Sequence, residues 1–471
     1  MSSLPKLRDY QLRAIEGVRQ AIRDGHRRIL VVVPTGGGKT TIAGSMIHGS
    51  DEKGNPVLFM AHRKELVEQA ADRLIQFDIA PGIIMAGYPP RRRKNVQVAS
   101  IQTLIKRDMP NAKVVFVDEA HHSVSPSFIE LLDKYPEAKI IGLTATPYRM
   151  DGRGLGDVYD VIVAPITVAE LIEQGHLTPP RYYGTRKDLE PALDKVDVVR
   201  GDYDKKQLFA SFDKRELYDG VVKNYQKFAP GTKAVVFNIN VEHSLNVRDA
   251  FLAAGIQAEH VDGDTHKDTR KRLLQDFRAG KFEVLCNVNL LTEGFDLPAI
   301  ETVILNRATK SKSLYLQMVG RGLRTAPGKK YCTVIDQGGN VRQFGPVEHP
   351  EEYELSTTNK RKASGVSDSP PQKMCPGCER LLYLSVAQCP QCAHRFASET
   401  MELQEAEFIE LTDFLPKSVK VKAAKPQRPE HLKKSWADMT EDELYEFAEL
   451  MNYKPGWVHI QLSKRNESIE A

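Results

Sequence analysis

The chain has 471 residues, of which 41% are hydrophobic and 27% charged, a composition typical of ordinary globular proteins. At about 100–200 residues per domain, this length predicts two to four domains. The longest purely apolar run, residues 29–33, is too short for a membrane span, and the first residues lack the apolar stretch of a secretory signal. We therefore expect no membrane partner. The net charge of +4 permits a polyanionic partner without requiring one.

Short apolar runs alternate with amphipathic stretches in the first third of the chain. The runs predicted as buried strands are residues 28–33, 57–60, 96–100, 114–117 and 139–143. Helix-like stretches, such as residues 64–77, lie between them. Strands that alternate with helices are typical of a parallel sheet covered by helices on both faces.

The same pattern returns later, with predicted strands at 234–237, 258–261, 283–286, 302–305 and 332–335. The sequence therefore predicts an α/β fold with two parallel-sheet domains in tandem. The predicted boundaries are 1–150 and 233–345 for these domains, 151–232 for a connecting region that begins the second one, 346–373 for a flexible linker, 374–397 for a cysteine module and 398–471 for an acidic and basic tail that ends in a helical segment.

A glycine-rich loop directly follows the first predicted strand and reads Pro-Thr-Gly-Gly-Gly-Lys-Thr at residues 34–40. Such a loop before a helix presents backbone N–H groups to phosphates. We expect Lys39 at the β and γ phosphates and the Thr40 hydroxyl on Mg²⁺. The general pattern has Gly or Ala where this chain has Val33. The residues expected to bind the nucleotide here are Thr35, Gly36, Gly37, Gly38, Lys39 and Thr40.

Acidic residues end a second predicted strand. Asp118 and Glu119 follow the apolar residues 114–117, at the carboxyl end where open α/β sheets bind ligands. We expect Asp118 to hold the Mg²⁺ shell and Glu119 to orient and deprotonate the attacking water. With the glycine-rich loop, these acids predict a site that binds and hydrolyses ATP.

These motifs and their companions resemble those of the DEAD/DEAH helicases and translocases of superfamily 2, over roughly residues 5–340. The companions in the first domain are Leu-Arg-Asp-Tyr-Gln at 7–11, Ala-His-Arg-Lys-Glu-Leu at 61–66, Ser-Ile-Gln-Thr at 100–103, Asp-Glu-Ala-His at 118–121 and Leu-Thr-Ala-Thr-Pro at 143–147. The resemblance implies two RecA-like domains. It implies that Arg8 and Gln11 contact the nucleotide, with Gln11 on the adenine. The nucleic-acid contacts that it implies in this domain are His62, Arg63, Gln102 and Thr103.

Two further motifs in the second domain continue the resemblance, Thr-Glu-Gly-Phe-Asp at 292–296 and Gln-Met-Val-Gly-Arg-Gly-Leu-Arg at 317–324. They imply that Gly294 and Asp296 face the nucleotide, that Thr292 faces the nucleic acid, and that Arg321 and Arg324 are arginine fingers. Fingers that enter from the second domain would make hydrolysis depend on domain closure. The catalytic residues so implied are Lys39, Asp118, Glu119, His121, Gln317, Arg321 and Arg324.

Two Cys-x-x-Cys pairs lie ten residues apart near the C-terminal third. Four thiolates at this spacing suit a closed tetrahedral Zn²⁺ site, and the alternatives are a redox dithiol or free thiols. The predicted zinc ligands are Cys375, Cys378, Cys389 and Cys392. Cys286 and Cys332 lie in predicted strands as small core residues. This cysteine usage favours a reducing compartment, and we expect a cytoplasmic location, at the nucleoid of a bacterium or in the host cytoplasm of a phage.

A zinc module behind two motor domains resembles the bacterial RadD group and the UvsW-type phage translocases. The leading hypothesis is an ATP-dependent motor on single-stranded or branched DNA, in replication, recombination or repair, with a single-strand-binding or repair protein as partner. An RNA helicase or RNP remodeller is the second, and the motor subunit of a restriction or defence assembly the third. A scaffold with a dead ATP site is opposed by the intact Lys39, Asp118, Glu119 and Arg324. Residues 185–211 carry no motif.

Overall fold

The computed structural model of the chain describes residues 4–89, 94–149, 154–184, 193, 195–199, 201–212, 215–292, 297, 299–349, 353–355, 372–396, 439–450, 458, 459 and 462. Within these residues no helix has both the length and the apolarity of a membrane span. The chain divides into two compact units, Met1–Ala397 and Ser398–Ala471. The larger unit holds both main sheets.

The first main sheet has seven parallel strands, in the spatial order β3-β4-β2-β5-β6-β1-β7. They are β1 (Arg28–Val32), β2 (Val57–Ala61), β3 (Gly82–Ile84), β4 (Val96–Ser100), β5 (Val114–Asp118), β6 (Lys139–Thr144) and β7 (Val161–Val163). The associated helices are α1 (Asp9–Arg23), α2 (Lys39–Asp51), α3 (Lys64–Ile75), α4 (Ile101–Leu104) and α5 (Pro126–Asp133). We call this part lobe 1.

Successive residues of the lobe 1 strands enter separate cores. In β1, Ile29 and Val31 belong to one buried cluster, whereas Leu30 and Val32 belong to another. Side chains alternate between the two faces of a strand, so a sheet covered on both faces needs continuous apolar strands. The unbroken run at 29–33 is the sequence signature of this arrangement.

Two sheets share the region predicted as a connection at 151–232. Strand β7 lies at the edge of lobe 1, and β8 (Pro180–Gly184) lies at the edge of the second main sheet. Between and after them are α6 (Val168–Glu173), the two-stranded hairpin of β9 (Val198–Val199) and β10 (Asp202–Tyr203), α7 (Lys205–Phe212) and α8 (Arg215–Phe228).

The second main sheet has six parallel strands, in the order β12-β13-β11-β14-β15-β8. They are β8 with β11 (Ala234–Phe237), β12 (Ala258–Val261), β13 (Val284–Asn287), β14 (Thr302–Leu305) and β15 (Cys332–Asp336). Its helices are α9 (Val241–Ala253), α10 (Lys267–Arg278), α11 (Lys312–Gly322) and α12 (Asn340–Phe344). We call this part lobe 2. The predicted α/β class with two parallel-sheet lobes is confirmed.

The two cysteines of lobe 2 are core residues. Cys286 in β13 and Cys332 in β15 are fully buried. Burial raises the pKa of the Cys332 thiol to about 12, so it is a neutral apolar group at neutral pH.

The predicted linker is partly ordered against both lobes. Val347 belongs to the lobe 2 core, and its N–H donates to the Tyr182 hydroxyl at 3.0 Å. Tyr353 and Leu355 instead pack on a lobe 1 core, and the Tyr353 ring lies 6.3 Å from that of Tyr148. The greater part of the predicted linker, residues 356–371, lies outside the described residues.

The cysteine module is docked on the edge of lobe 2. Its antiparallel strands are β16 (Gln372–Met374) and β17 (Leu381–Tyr383). Leu381 is buried in the lobe 2 core, and the Tyr183 hydroxyl in β8 donates to Gln391 Oε1 at 2.8 Å. A Cβ added at Gly184 would lie 2.7 Å from Leu381 Cδ1, so the glycine makes room for this contact. The module therefore covers the edge strand β8.

The second unit contains α13 (Glu441–Leu450). A capping box begins this helix, because Thr440 N–H donates to Glu443 Oε2 at 2.7 Å and Glu443 N–H donates to Thr440 Oγ1 at 3.3 Å. The apolar face of this helix packs in a small cluster with Val458.

A buried ion pair ties the β9–β10 hairpin to lobe 2. Asp202 Oδ2 accepts a hydrogen bond from Arg307 Nη2 at 2.8 Å, and their side chains are 11% and 3% exposed. Asp202 Oδ1 also accepts from Thr309 Oγ1 and the Lys310 N–H, both at 2.8 Å. Such a pair tolerates burial only because these further hydrogen bonds replace water.

Removing the Asp202 carboxylate leaves the charge of Arg307 buried without an ion-pair partner. We expect Asp202→Ala to destabilise the larger unit by about 3–5 kcal/mol, measured by chemical denaturation. The matched control is Asp249→Ala, because Asp249 forms an exposed pair with Arg248 worth at most about 1 kcal/mol. The double variant Asp202→Ala, Arg307→Met should recover part of the loss, and equal stability of Asp202→Ala and the control would contradict this assignment.

Candidate active site

The glycine-rich loop joins β1 to α2 at the carboxyl edge of the lobe 1 sheet. Gly36 and Gly38 have φ of +88° and +82°, a conformation that strongly favours glycine. A Cβ added at Gly37 would lie 2.6 Å from Val33 Cγ1. Val33, the departure from the general pattern, is therefore accommodated by the glycine above it. The loop leads into Lys39 and Thr40 as the first residues of α2, which fits a phosphate cradle.

Residues of α1 hold this loop from the side. The Tyr10 hydroxyl donates to the Gly37 carbonyl oxygen at 2.8 Å. Gln11 Nε2 lies 3.4 Å from the same oxygen, and its Oε1 accepts from the Arg8 N–H at 3.0 Å. Gln11 is 4% exposed, whereas Arg8 is exposed. The predicted nucleotide-reading segment thus lies directly against the phosphate loop.

The predicted acids face the loop lysine. Lys39 Nζ lies 3.8 Å from Glu119 Oε1, and these side chains are 13% and 10% exposed. Glu119 has φ of +48°, and its N–H donates to Asp118 Oδ1 at 3.0 Å. This sharp turn at the end of β5 directs Glu119 to the loop lysine. Strained backbone of this kind is common at functional sites.

A chain of polar contacts runs from these acids into lobe 2. His121 Nδ1 lies 3.5 Å from Glu119 Oε2 and 3.2 Å from Thr144 Oγ1. Its Nε2 lies 3.3 Å from Gln317 Nε2 in α11. With the Gln317 amide N–H as the donor, His121 Nε2 is the acceptor of this contact. Gln317 is therefore in contact with the acidic turn of lobe 1 through one histidine ring.

Further contacts hold α11 against lobe 1. Thr146 Oγ1, in the motif at residues 143–147, lies 2.6 Å from Ser313 Oγ. A Cβ added at Gly320 would lie 2.7 Å from Thr35 Cβ, so this glycine lets the helix approach the phosphate loop. The structure thus brings the predicted motifs of the two lobes together in a closed arrangement.

The two predicted arginine fingers have different surroundings. Arg321 is buried, and its Nε and Nη2 both donate to the Thr292 carbonyl oxygen, at 3.0 and 2.6 Å. Arg324 is half-buried, and its Cγ would lie 3.6 Å from a Cβ added at Gly36. Arg324 therefore passes beside the phosphate loop, whereas Arg321 is bound to the segment that carries Thr292.

The predicted nucleic-acid residues of lobe 1 are adjacent to each other. Gln102 Nε2 donates to the His62 carbonyl oxygen at 2.7 Å, because β2 and β4 are paired up to Ala61 and Ser100. Arg63 and Thr103 are half-buried at the same edge. Gly294 and Asp296, predicted to face the nucleotide, lie outside the described residues.

A cavity of about 600 Å³ lies between the lobes. Its walls include Arg63 and Thr292, which are predicted to contact nucleic acid, and His121 and Gln317 of the polar chain. The cavity therefore connects the predicted nucleic-acid residues to those that touch the catalytic turn.

The four cysteines of the module form a compact cluster. All four Sγ atoms lie within 4.8 Å of one another, with Cys375 and Cys392 at 3.5 Å and Cys378 and Cys389 at 3.6 Å. A tetrahedral Zn²⁺ with Zn–S bonds of about 2.3 Å would separate its sulfurs by about 3.8 Å. The cluster thus has the dimensions of a closed zinc site.

Several residues of the site escaped the sequence interpretation. Tyr10 precedes Gln11 directly, and an aromatic residue beside a predicted binding residue was the available signal. Ser313 lies before the motif at residues 317–324, and no sequence pattern marks it as a site residue. The Asp202–Arg307 pair joins positions 105 residues apart, which no local pattern reveals.

Two family models match the chain. Residues 4–149 match the family described as "Type III restriction enzyme, res subunit", and residues 215–326 match "Helicase conserved C-terminal domain". A restriction-modification enzyme of known structure, LlaBIII, which was solved bound to DNA, superimposes with a TM-score of 0.54 at 19% identity, over 71% of this chain and 28% of that one. This likeness supports the fold.

Two curated relatives are more similar in sequence. A 51.5 kDa protein of a Lactococcus phage is 31% identical over 410 residues, which cover 86% of this chain and 87% of the phage protein. A Saccharomyces cerevisiae protein provisionally named ATP-dependent helicase IRC3 is 35% identical over 371 residues, 74% of this chain but only 53% of the yeast protein. The chain therefore belongs to the superfamily 2 helicases and translocases, enzymes that couple ATP hydrolysis to movement along nucleic acid or to its unwinding.

Proposed function

We propose that this enzyme moves on DNA, as a translocase or helicase that remodels single-stranded or branched DNA in replication, recombination or repair. The Asp-Glu-Ala-His and Thr-Ala-Thr-Pro motifs at 118–121 and 144–147 support a DNA substrate, because they resemble those of DNA-acting members of the superfamily. The restriction-enzyme family that matches lobe 1 supports the same choice. The proposed location is the cytoplasm.

The residues at the carboxyl edge of lobe 1 have the chemistry for ATP hydrolysis. Lys39 neutralises the outer phosphates, and the loop N–H groups hold them. Glu119 orients the attacking water and takes its proton. Mg²⁺, held by Thr40 and Asp118, would offset the charge that develops on the phosphates. Arg324, which lies beside Gly36, stabilises the same charge from lobe 2.

The contact that carries the proposal is the one between Gln317 and His121. It links α11, which bears Arg321 and is followed by Arg324, to the turn that bears Glu119. A change in charge at Glu119 after hydrolysis therefore acts on the lobe interface. Opening and closing of the lobes then shifts Arg63 against Thr292 along a bound strand.

The cysteine cluster completes the proposal with a structural Zn²⁺ held by Cys375, Cys378, Cys389 and Cys392. The sulfur separations fit such a site. Zinc would lock the module in the conformation that covers β8. An exposed sheet edge promotes association with other chains, so the metal also protects lobe 2.

ATP turnover with different nucleic acids tests the proposed function. Steady-state hydrolysis should rise with single-stranded or forked DNA and rise less with RNA. Glu119→Gln should abolish turnover because it removes the base, whereas the exposed Glu130→Gln should behave as wild type.

Other results of the turnover experiment would favour one of the alternative functions. Stimulation by RNA alone would contradict the DNA substrate and favour an RNA helicase. No stimulation by any nucleic acid would favour a motor subunit that needs a partner, as in a restriction assembly. Wild-type turnover in Glu119→Gln would contradict the catalytic assignment.

The arginine assignment predicts separable defects. Arg324→Ala should leave ATP binding largely intact and slow hydrolysis by about 10³–10⁵-fold, as expected for an arginine finger. Nucleotide binding measured with a fluorescent ATP analogue and single-turnover hydrolysis separate the two effects. Arg342→Ala, an exposed arginine of the same lobe, is the control. Weaker binding with an unchanged hydrolysis rate would contradict the finger role.

The zinc assignment predicts a loss of lobe 2 stability. Cys375→Ser should reduce bound zinc below one equivalent and lower the thermal unfolding temperature, because the module packs on β8 through Leu381. Zinc content by plasma mass spectrometry and a thermal melt are the measurements. Cys286→Ala, a buried cysteine outside the module, should retain full zinc. A Cys375→Ser protein with unchanged zinc and melting would exclude the site.

A further inference from the structure

The interlobe cavity has a wall that none of the predicted nucleic-acid motifs supplies. It is formed by strands β9 and β10 and the start of α7, and we call residues 198, 199 and 201–206 the hairpin wall. Its cavity-lining residues are Val199, Asp202, Tyr203, Asp204, Lys205 and Lys206. Arg63 and Thr292, predicted to contact nucleic acid, line the same cavity.

The hairpin wall is fixed to lobe 2. Asp202 binds Arg307, which follows β14, and Arg307 Nη1 also donates to Asn289 Oδ1 at 2.9 Å. Tyr203 and Leu208 pack with Ile239 and Ala308, in the loops that follow β11 and β14. These contacts attach the hairpin wall to the carboxyl edge of the lobe 2 sheet, so it moves with that lobe.

Lys205 and Lys206 supply the positive charge of the hairpin wall at the cavity. Both carboxylates of the hairpin wall accept hydrogen bonds. Asp202 accepts from Arg307, and Asp204 accepts from the N–H groups of Lys206 and Gln207, both at 3.0 Å. Lys205 and Lys206 are exposed, and among the described residues neither forms an ion pair. Partial burial of the Lys205 ammonium group and the nearby charge of Arg307 lower the pKa of Lys205, and an anion beside it would stabilise the charged form.

We propose that the hairpin wall is a nucleic-acid contact surface, on which Lys205 and Lys206 bind the phosphates of one strand as it passes between the lobes. A phosphodiester backbone is the occupant that suits this charge, because adjacent lysines match adjacent phosphates and carry no base information. The proposal rests on the proposed function. It adds a lobe 2 contact opposite Arg63.

The test is the salt dependence of binding to a labelled single strand, as DNA and as RNA of the same sequence, measured by fluorescence anisotropy. Loss of two phosphate contacts should make the slope of log K against log salt less steep by about 1.4. The loss of affinity relative to wild type should therefore be about 25-fold larger at 0.1 M salt than at 1 M salt. We expect both effects in Lys205→Ala, Lys206→Ala. Lys205→Arg, Lys206→Arg should bind as wild type.

The matched control removes the same charge elsewhere. Lys53→Ala, Lys134→Ala changes two exposed lysines that precede β2 and β6, at the amino edge of the lobe 1 sheet. If this control and the Lys205, Lys206 variant bind alike, the hairpin wall is not a contact surface, while salt-dependent binding by the wild type leaves the proposed function standing. A wild-type protein that binds neither DNA nor RNA overturns both.

Discussion

In a parallel sheet every strand ends at the same edge, and the site described above depends on this constraint. The phosphate loop follows β1, the acids follow β5, and His62 and Gln102 follow β2 and β4. Residues far apart in sequence therefore meet at this edge. Lobe 2 repeats the arrangement, since Arg307 and Ile239 follow its own strands.

Two such edges facing each other produce a site that is complete only when the lobes are together. Lobe 1 supplies Lys39 and Glu119, and lobe 2 supplies Gln317 and Arg324. Among the described residues, the contacts that join them include polar ones such as Thr146 with Ser313, and Glu65 with Arg270 at 3.1 Å. A single hydrogen bond or partly exposed ion pair contributes only about 1 kcal/mol. An interface of this kind suits lobes that separate and close again in each ATP cycle.

The parts predictable from sequence were those with local patterns. Continuous apolar runs such as residues 29–33 identified strands, and Gly36 and Gly38 identified a loop that needs positive φ. The hairpin wall was not predictable, because Asp202 and Arg307 are brought together only by the assembled lobe. Docking of the cysteine module on β8 was also not predictable, because no sequence pattern links Leu381 to Gly184. The orientation of Arg321 toward Thr292 depends on a backbone oxygen, which no sequence motif encodes.

The distance between the lobes through the ATP cycle is the most direct test of the central claim. Dyes introduced by unnatural amino acids at the exposed positions Lys53 in lobe 1 and Ala253 in lobe 2 leave the cysteine module intact. Single-molecule energy transfer should show closing with DNA and a non-hydrolysable ATP analogue, and opening with ADP. A lobe distance that is the same in all nucleotide states would contradict the account that hydrolysis is coupled to movement by lobe closure.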